Sequence, residues 1–351
     1  MVQVVAAMIE IDGAHGEGGG QVLRMAVALG ATQSMPVRVA RIRAGRPTPG
    51  LAPQHVAALK AVATLCNGEI DGLTVGSKEI AFRPGDLAGG RHTFDVGTAG
   101  SVTLVLQACL PVAAAAPETV RLRILGGTDV RWSPPVDYFA RVFLPLLRRL
   151  GGRAEIEVLR RGYYPRGGGT VEVVIEPTRI WTPFDLTSPP VIQSVRGIAH
   201  VSNLAEDIPK RMKRAAMRRL RVVPDVKIEE RVYHGVEAVG QGGALVLCAD
   251  AGPTVLGADS LAERGKSSER VGEEGATALV AEMESGATLD VHAADQLLAY
   301  LARADGPSRF LVRDVSGHLE TIAWLLPQFI PCKIEFASVG ALRKVSVEPN
   351  R

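Results

Sequence analysis

The sequence predicts a mixed α/β protein, in which a larger domain built from repeated βαββ-like units is interrupted by a smaller inserted α/β domain. Apolar runs typical of strands alternate along the chain with segments whose apolar residues recur at helical spacing. Two long segments share one order of elements, which indicates an internal repeat. This order is lost after residue 183 and returns after residue 285. We therefore expect domains at 1–183 with 286–351 and at 184–285.

The elements of the larger domain follow from these patterns in order. A strand at 8–11 leads into a glycine-rich loop at 13–20 and a helix at 21–29. Each repeat unit then has a strand, a loop with glycine or proline, a helix and two further strands. In the first unit these strands and the helix are predicted at 37–42, 53–66, 69–75 and 79–83. In the second unit they are predicted at 120–125, 135–150, 154–158 and 170–175.

The inserted domain has a different order of helices and strands. A helix at 210–221 carries seven Lys and Arg residues in twelve positions; it could bind nucleic acid, but a solvated amphipathic face is the preferred interpretation. The other elements of the insert are strands near 191–201, 226–233 and 244–249 and a closing helix at 268–284. Beyond the insert, the expected elements are helices at 295–302 and from residue 318 and strands at 310–312 and 333–336.

Composition excludes several classes of protein. Hydrophobic residues make up 46% and charged residues 22% of the 351 positions, which is ordinary for a globular chain. The longest apolar stretch, at 104–116, is too short to span a bilayer, and the N-terminal stretch lacks the features of a secretory signal. The net charge is only +3, so bulk electrostatics does not by itself indicate nucleic-acid binding. The four cysteines form no CxxC pair, so we expect a cytoplasmic protein without membrane association.

The glycine-rich loop is the first candidate site. Glycines between a strand and a helix let backbone N–H groups approach an anion. Glu17 stands among these glycines, and a carboxylate repels a phosphate unless a cation lies between them. The pattern therefore predicts a metal ion carried by its ligand, as in a nucleotide–Mg²⁺ complex. A tight turn with a solvated glutamate is the alternative.

An arginine-rich stretch is the second candidate site. Alternation along the predicted strand would put Arg41 and Arg43 on one face, and Arg46 follows in the loop. Arg43 and Arg46 could grip a phosphate, with Gln54 as a neutral donor. A solvated strand end explains the same residues equally well.

Two further segments place polar groups near helix starts. Residues 97–101 form a second glycine loop, and Gln107 is a polar residue on an otherwise apolar helix, where it needs a partner; a satisfied core glutamine is the alternative. Ser316 is a candidate N-cap for a helix with His318 in its first turn. A helix dipole lowers the pKa of a histidine there, so that it is neutral and can act as a nucleophile. A surface histidine near a cap is the alternative.

Together and in this order, these motifs resemble the RNA 3′-terminal phosphate cyclases. The resemblance runs nearly end to end. The matching stretches are IDGAHGEGGGQVLR, IRAGRPTPGLAPQH, VGTAGSVTLVLQ, GGTDVRWSPPVDYF, GYYPRGGG, AERGKSSERVGEEGA, HAADQLLAYLA and SGHLETIAWLL.

The resemblance implies a fold and an activity. The larger, repeat-built domain would be similar to the enolpyruvyl transferases, with a smaller α/β domain inserted. The implied enzyme, of the ligase class, uses ATP and a divalent metal ion, Mg²⁺ or Mn²⁺, to convert an RNA 3′-terminal phosphate into a 2′,3′-cyclic phosphate. A histidine takes AMP from ATP, AMP passes to the RNA 3′-phosphate, and the neighbouring 2′-OH expels it. RNA with a 3′-phosphate is the implied partner; the oligomeric state is left open, with a homodimer as one option.

The resemblance also assigns roles by matching position. His318 matches the nucleophile and Glu17 the metal-associated carboxylate. The ATP-binding positions are matched by Gln21, Gln107, Pro134, His292, Ala293, Ala294, Asp295 and Gln296. The polar positions around the phosphates and the RNA end are matched by Arg24, Arg43, Arg46 and Gln54. Some members have tyrosine where this chain has His292, which leaves the nucleotide selectivity open.

Two other functions stand as alternatives. A branch of the same family acts in ribosome assembly without catalysis, and it lacks the histidine that this chain has at position 318. An enolpyruvyl transferase is the second alternative. It is supported only by the implied likeness of fold, which is no argument for function.

Overall fold

Three of the four sheets share one topology, in which each unit follows the order β, α, β, α, β, β. The computed structural model describes residues 7–350; residues 1–6, part of the stretch considered for a secretory signal, and residue 351 lie outside the described part. The first unit comprises β1 Ile9–Asp12, α1 Gly20–Gln33, β2 Val37–Ala40, α2 Pro53–Leu65, β3 Glu69–Asp71 and β4 Ile80–Arg83.

The second unit repeats this order with a longer second helix. Its first elements are β5 Gly90–Asp95, α3 Val102–Ala115 and β6 Val120–Gly126. The second helix consists of α4 Val136–Tyr138, a π-helical turn at Phe139–Phe143 and α5 Leu144–Arg149. The unit ends with β7 Arg153–Gly162 and β8 Gly169–Glu176.

The third unit is divided by the insert. It begins with β9 Asp185–Leu186. The insert follows as β10 Ser194–Ser202, α6 Asp207–Arg219, β11 Val226–Tyr233, β12 Ala238–Val239, β13 Gly242–Asp250, β14 Val255–Leu261 and α7 Ser268–Ser285. The third unit then resumes with α8 Val291–Leu301, β15 Ser308–Val312, α9 Gly317–Leu325, β16 Cys332–Val339 and β17 Leu342–Pro349.

The strand orders show that the units are copies of one another. They read β1-β2-β4-β3, β5-β6-β8-β7 and β9-β15-β17-β16, with the first pair parallel and the others antiparallel. The βαββ-like units predicted from the sequence are thus the later parts of longer repeats. The third copy escapes a sequence search because β9 has only two residues and residues 187–290 separate it from α8.

The insert forms its own sheet, β11-β10-β13-β14. Helices α6 and α7 pack on it, and a separate apolar cluster fills the space between them. The predicted mixed α/β fold class is confirmed. The boundaries at 184 and 285 stay a prediction; β9 pairs with β15 and so lies in the third sheet, while β12 pairs with β7 and extends the second.

Several sequence-based details differ from the structure. Strands β5, β14 and β17 were not predicted, and β17 follows the strand that was expected to be terminal. Because most of β5 is exposed, its sequence shows no apolar run. The strand predicted at 37–42 ends at Ala40, and Arg41 and Arg43 both have φ of 53°. These two arginines therefore stand in a loop, and the prediction that they share a strand face is wrong.

The helices of the three units pack on one another in a common core. Helix α1 contacts α2, α3 and α9, and α3 also contacts α8. Because α3 lies at the centre, its side chains are buried on nearly every side, which is why its sequence is apolar throughout. Among residues 7–350, no helix has both the length and the apolar character that crossing a bilayer requires.

A buried charge network joins the second unit to the insert. Arg161 of β7 donates hydrogen bonds to Asp137 at 2.6 Å and to Asp129 at 3.3 Å. The ring of His200 on β10 lies within 3.5 Å of both carboxylates, and its Nδ1 is 3.1 Å from the hydroxyl of Tyr163. Burial by itself would raise the pKa of Asp129, but Arg161 and His200 hold it below the usual range.

The same three acidic and histidine side chains are close enough together to hold a metal ion. The guanidinium of Arg161 already lies among them and supplies the positive charge. We therefore interpret the cluster as a structural ion network rather than a metal site.

Replacing Arg161 tests this interpretation. Arg161→Met leaves two buried carboxylates without the guanidinium between them, which should lower the free energy of unfolding by about 3–5 kcal/mol. Arg153→Met is the matched control, since Arg153 lies on the same strand with an exposed side chain, and it should cost about 0.5 kcal/mol or less. Chemical denaturation at neutral pH measures both; equal small losses would contradict a stabilising role for the network.

Candidate functional site

The glycine-rich loop between β1 and α1 lies along one face of α9. The ring of His15 stacks on Trp324 with 3.6 Å between centroids and 14° between planes. The next residue, Gly16, has φ of 59°, and a Cβ there would collide with the hydroxyl of Thr321. Because Thr321 and Trp324 stand three positions apart on a helix, they share a face. Consecutive loop residues thus follow this face toward the start of the helix.

The contact of Glu17 with His318 continues this line. Glu17 Oε2 lies 3.3 Å from Nδ1 of His318. A Cβ on Gly317 would come within 2.7 Å of Glu17 Oε1, so glycine at 317 makes room for the carboxylate. A neutral imidazole that donates its Nδ1 proton keeps the lone pair on Nε2. Nδ1 is the ring nitrogen that faces the carboxylate, and in the tautomer protonated there the lone pair is on Nε2.

Burial and neighbouring positive charges lower the pKa of His318 at the start of α9. Ser316 caps the helix by accepting a hydrogen bond from the N–H of Leu319 at 3.1 Å. Burial lowers the pKa of His318 below its ordinary value of 6.5; Glu17 opposes this, while Arg24 and nearby positive groups lower it further. The imidazole is therefore unprotonated at neutral pH.

The arginines of the second candidate site have different positions. Arg46 donates to the backbone carbonyl of Glu17 at 3.1 Å and lies 3.9 Å from Glu17 Oε2. Arg43 donates to the carbonyl of Gly50 at 2.9 Å, within its own loop. Arg41 pairs with Asp12. Of the three, Arg46 is the one that contacts the glycine-rich loop beside His318.

The first helices of the three units meet at one cleft. Helix α1 contributes glutamine and arginine, α3 a glutamine, and α8 an aspartate and a glutamine, beside an apolar wall. The lining residues are Gln21, Arg24, Met25, Gln107, Phe143, Asp295, Gln296 and Tyr300. Four residues predicted for ATP binding therefore come together here, although they lie on three helices far apart in sequence.

The cleft contains polar groups without partners. Within residues 7–350, the buried side-chain oxygens of Gln21 and Gln296 have no hydrogen-bond partner. Buried acceptors of this kind are normally satisfied, so amino or hydroxyl groups of a ligand could pair with these two oxygens; the cavity itself, of about 20 Å³, has room for a water molecule. The two unpaired oxygens thus indicate a polar ligand or a bound water independently of the sequence motifs.

Two charged groups form the back of the cleft. Arg24 is buried, and burial lowers its pKa to about 10, while Asp295 opposes the shift. Burial also raises the pKa of Asp295 well above its usual range, with repulsion from Asp290 and Glu17 adding to it and Arg24 opposing it. The pair thus places a cation close to the glycine-rich loop.

His55 is a site residue that the sequence analysis did not select. Burial lowers its pKa to about 3, with Arg24 and Arg43 adding to the shift. Its Nδ1 accepts the backbone N–H of Ala52 at 3.0 Å, and its Nε2 would collide with a Cβ at Gly20. The sequence does contain a signal for His55, because this residue stands in the first turn of a helix, as His318 does.

Two other predicted residues contact the N-terminal end of α3. Gln54 accepts the backbone N–H of Ser101 at 2.9 Å and so ties α2 to the second glycine loop. The carbonyl of Pro134 accepts a hydrogen bond from Thr103 at 2.8 Å, one turn before Gln107 on α3.

The predicted residues at the start of α8 have contrasting environments. His292 is exposed, with its ring edge-on to that of Tyr138 at 6.5 Å. Ala293 and Ala294 are fully buried in the core, and their N–H groups bond to Asp290. In this structure the two alanines pack the helix, and a role for them in ligand binding stays a prediction.

These features define a class: a three-unit α/β protein in which a neutral histidine, a carboxylate and arginines gather at helix starts. A family profile described as RTC, RNA 3′-terminal phosphate cyclase, matches residues 15–336. The RNA 3′-terminal phosphate cyclase of Nitrosospira multiformis is 51% identical over 98% of this chain and 97% of its own length. That of Methanopyrus kandleri is 46% identical over 98% and 99%. The chain belongs to the RNA 3′-terminal phosphate cyclase family.

Among solved structures, the enolpyruvyl transferase NikO from Streptomyces tendae aligns with 99% of this chain. The alignment covers 66% of the NikO chain, with 14% identity and a TM-score of 0.26. A likeness of this size carries no argument about fold or activity.

The electrostatic role of Glu17 can be measured directly. Because the carboxylate raises the pKa of His318, Glu17→Gln should move the titration midpoint of His318 to lower pH. The measurement is an NMR titration of the His318 ring proton at Cε1. Glu10→Gln, on the exposed side of β1, is the control and should leave the midpoint unchanged. A rise of the midpoint in Glu17→Gln would contradict the contact described above.

The packing of the loop on α9 can be tested at Gly16. Gly16→Ala should both strain a left-handed residue and push the loop off Thr321. Gly265→Ala is the matched control, since Gly265 has φ of 85° with open space around it. Each should cost about 1–2 kcal/mol from the backbone, but only Gly16→Ala should raise hydrogen exchange across residues 14–18. Equal exchange in both variants would mean that Thr321 does not constrain the loop.

Proposed function

We propose that this chain is an ATP-dependent RNA 3′-terminal phosphate cyclase in which His318 is the nucleophile. The observation that carries the proposal is the imidazole at the start of α9, whose pKa burial lowers and whose Nδ1 lies 3.3 Å from Glu17 Oε2. The names of relatives that are 51% and 46% identical over nearly the whole chain support it. The cytoplasmic location and the homodimer stay predictions.

The proposed reaction has three steps. In the first, Nε2 of His318 attacks the α-phosphorus of ATP, the bond to the β-phosphate oxygen breaks, and pyrophosphate leaves. In the second, an oxygen of the RNA 3′-phosphate attacks the same phosphorus and His318 leaves with its lone pair. In the third, the neighbouring 2′-OH attacks the RNA phosphorus, loses its proton to water, and AMP leaves. Adenylylation is needed because a bare phosphate oxygen is a poor leaving group.

Glu17 has a defined part in the first step. Attack by Nε2 leaves the imidazole with a positive charge while Nδ1 keeps its proton. The Glu17 carboxylate, 3.3 Å from Nδ1, stabilises this charge and fixes the ring orientation, as a carboxylate does for other catalytic histidines. Arg46 beside it and the N–H groups at the start of α9 would stabilise the negative charge of the phosphate oxygens.

We assign the divalent metal, Mg²⁺ or Mn²⁺, to Glu17. Within residues 7–350, the one group of three or more potential metal ligands lies elsewhere, around Arg161. A single carboxylate suits Mg²⁺, which usually binds through one or two carboxylates plus substrate phosphates and water. When bound, the metal ion neutralises phosphate charge.

The cleft is the proposed nucleoside site. Gln21 and Gln296 have unpaired oxygens there, and Gln107 and Asp295 line the same space. His292, Ala293, Ala294 and Pro134 complete the proposed ATP-binding set. The proposed contacts for the phosphates and the RNA end are Arg24, Arg43, Arg46 and Gln54. Among them, Arg24 and Arg46 have the stronger support, since both lower the pKa of His318.

Removal of the nucleophile tests the proposed function. With radiolabelled ATP and Mg²⁺, the unaltered protein should acquire an acid-labile AMP label, and His318→Ala should lose it to background because the proposed nucleophile has been removed. His234→Ala is the matched control, as His234 is an exposed histidine of the insert, and should label normally.

Two outcomes would contradict the proposal. Label that persists in His318→Ala would place the nucleophile elsewhere. An unaltered protein that neither labels nor cyclises a 3′-phosphorylated RNA would favour the non-catalytic, ribosome-assembly alternative. Turnover of phosphoenolpyruvate without a nucleotide would instead identify an enolpyruvyl transferase.

A further inference from the structure

Two exposed aromatic side chains and an arginine stand on neighbouring turns of the second unit. Trp132 is 93% exposed and Tyr164 is 78% exposed, and Arg166 is exposed two positions later. We call these three residues the aromatic rim. Neither aromatic ring is used for packing, although large aromatic side chains usually are.

The two turns are held side by side. Asp129, near the start of one, forms a parallel bridge with Tyr163 of the other. The second turn connects β7 to β8 and contains the GYYPRGGG motif. Its Gly167 lies against the second glycine loop, where a Cβ would come within 2.6 Å of the carbonyl of Thr98. The glycines of this motif thus let the turn approach the loop that opens α3.

Trp132 lies close in sequence to Pro134, which contacts the first turn of α3. The carbonyl of Pro134 accepts a hydrogen bond from Thr103, and Thr103 stands one turn before Gln107, which lines the cleft. Trp132 is two positions before this proline. The rim therefore stands at the same end of α3 as the proposed nucleoside site.

The backbone at Trp132 is strained and firmly held. Its φ of 67° is unfavourable for a bulky residue. On one side Arg131 makes two hydrogen bonds to Glu263 of the insert, at 3.0 and 2.7 Å. On the other side Ser133 donates to the carbonyl of Val130 at 3.0 Å. Strain that the surroundings maintain is concentrated at functional positions, and here it presents an indole to solvent.

The chemistry of the rim fits single-stranded nucleic acid. Exposed aromatic rings stack on nucleobases, and a nearby cation attracts the phosphate backbone. Arg166 has no ion pair within the described part of the chain, so its charge is available to an anion.

We propose that the aromatic rim binds nucleobases of single-stranded RNA next to its 3′ end. The inference rests on the proposed function for the identity of the nucleic acid. RNA enters with its terminal phosphate at His318, and the rim holds the adjoining nucleotides by stacking on Trp132 and Tyr164, with Arg166 on the backbone.

Fluorescence of Trp132 provides the first test. Trp181 is buried and Trp324 is half-buried against His15, so Trp132 is the most exposed of the three tryptophans. A short single-stranded oligoribonucleotide should quench its emission whether it ends in a 3′-phosphate or a 3′-hydroxyl, and the quenching should be absent in Trp132→Phe. Quenching by ATP alone would mean that Trp132 stacks on adenine, and would overturn the proposal.

Binding of the same oligoribonucleotide by variants is the second test. Trp132→Ala and Tyr164→Ala should each weaken affinity about tenfold without changing its salt dependence. Arg166→Ala should weaken affinity and reduce the slope of log affinity against log salt by about 0.7, the value for one phosphate contact on a single strand. Arg153→Ala, at the other end of the same hairpin, should change neither.

The outcomes separate this proposal from the proposed function. Binding is measured without ATP, so a failure of adenylylation does not affect the test of RNA binding by the aromatic rim. RNA affinities within twofold of that of the unaltered protein in both aromatic variants would overturn the proposal. A change of oligomeric state in these variants without a change of RNA affinity would overturn it as well. All three side chains are exposed, so thermal unfolding of the variants should match that of the unaltered protein.

Discussion

The packing of one glycine-rich loop on one helix is the constraint on which the candidate site depends. Stacking of His15 on Trp324 and the close approach of Gly16 to Thr321 leave Glu17 directly against His318. Each contact needs a small residue at a defined place, because a side chain at 16 or 317 would push the loop away. A carboxylate and an imidazole from opposite ends of the chain thereby meet at hydrogen-bond distance.

Burial and positive charge then decide what this pair can do. Burial favours the neutral imidazole, and Arg24, itself buried, adds to the effect. Glu17 acts in the opposite direction and faces Nδ1, so in the tautomer protonated at Nδ1 the lone pair is on Nε2. A nucleophile that is already neutral needs no separate base, and the same arginines attract an anionic substrate to it.

Repetition of one unit explains why the cleft exists. The first helix of every unit begins at the same point of the repeated topology, and these three helices supply Gln21, Gln107 and Gln296 to one space. The sequence analysis found the three segments separately and joined them by resemblance to a family. It missed the third copy of the repeat, because β9 is two residues long and the insert separates it from α8. It also missed His55, whose pKa reflects neighbours distant in sequence.

The sequence by itself determined the fold class, most helices and strands, the glycine loops and the identity of His318 and Glu17 as candidates, because periodicity and local motifs record local backbone preferences. Only the tertiary structure decided which candidates meet. It separated Arg46, beside Glu17, from Arg43, which bonds to its own loop, and it buried Ala293 and Ala294 in the core. It also placed the GYYPRGGG turn against the second glycine loop. Contacts of this kind depend on how distant segments pack, and no local pattern encodes them.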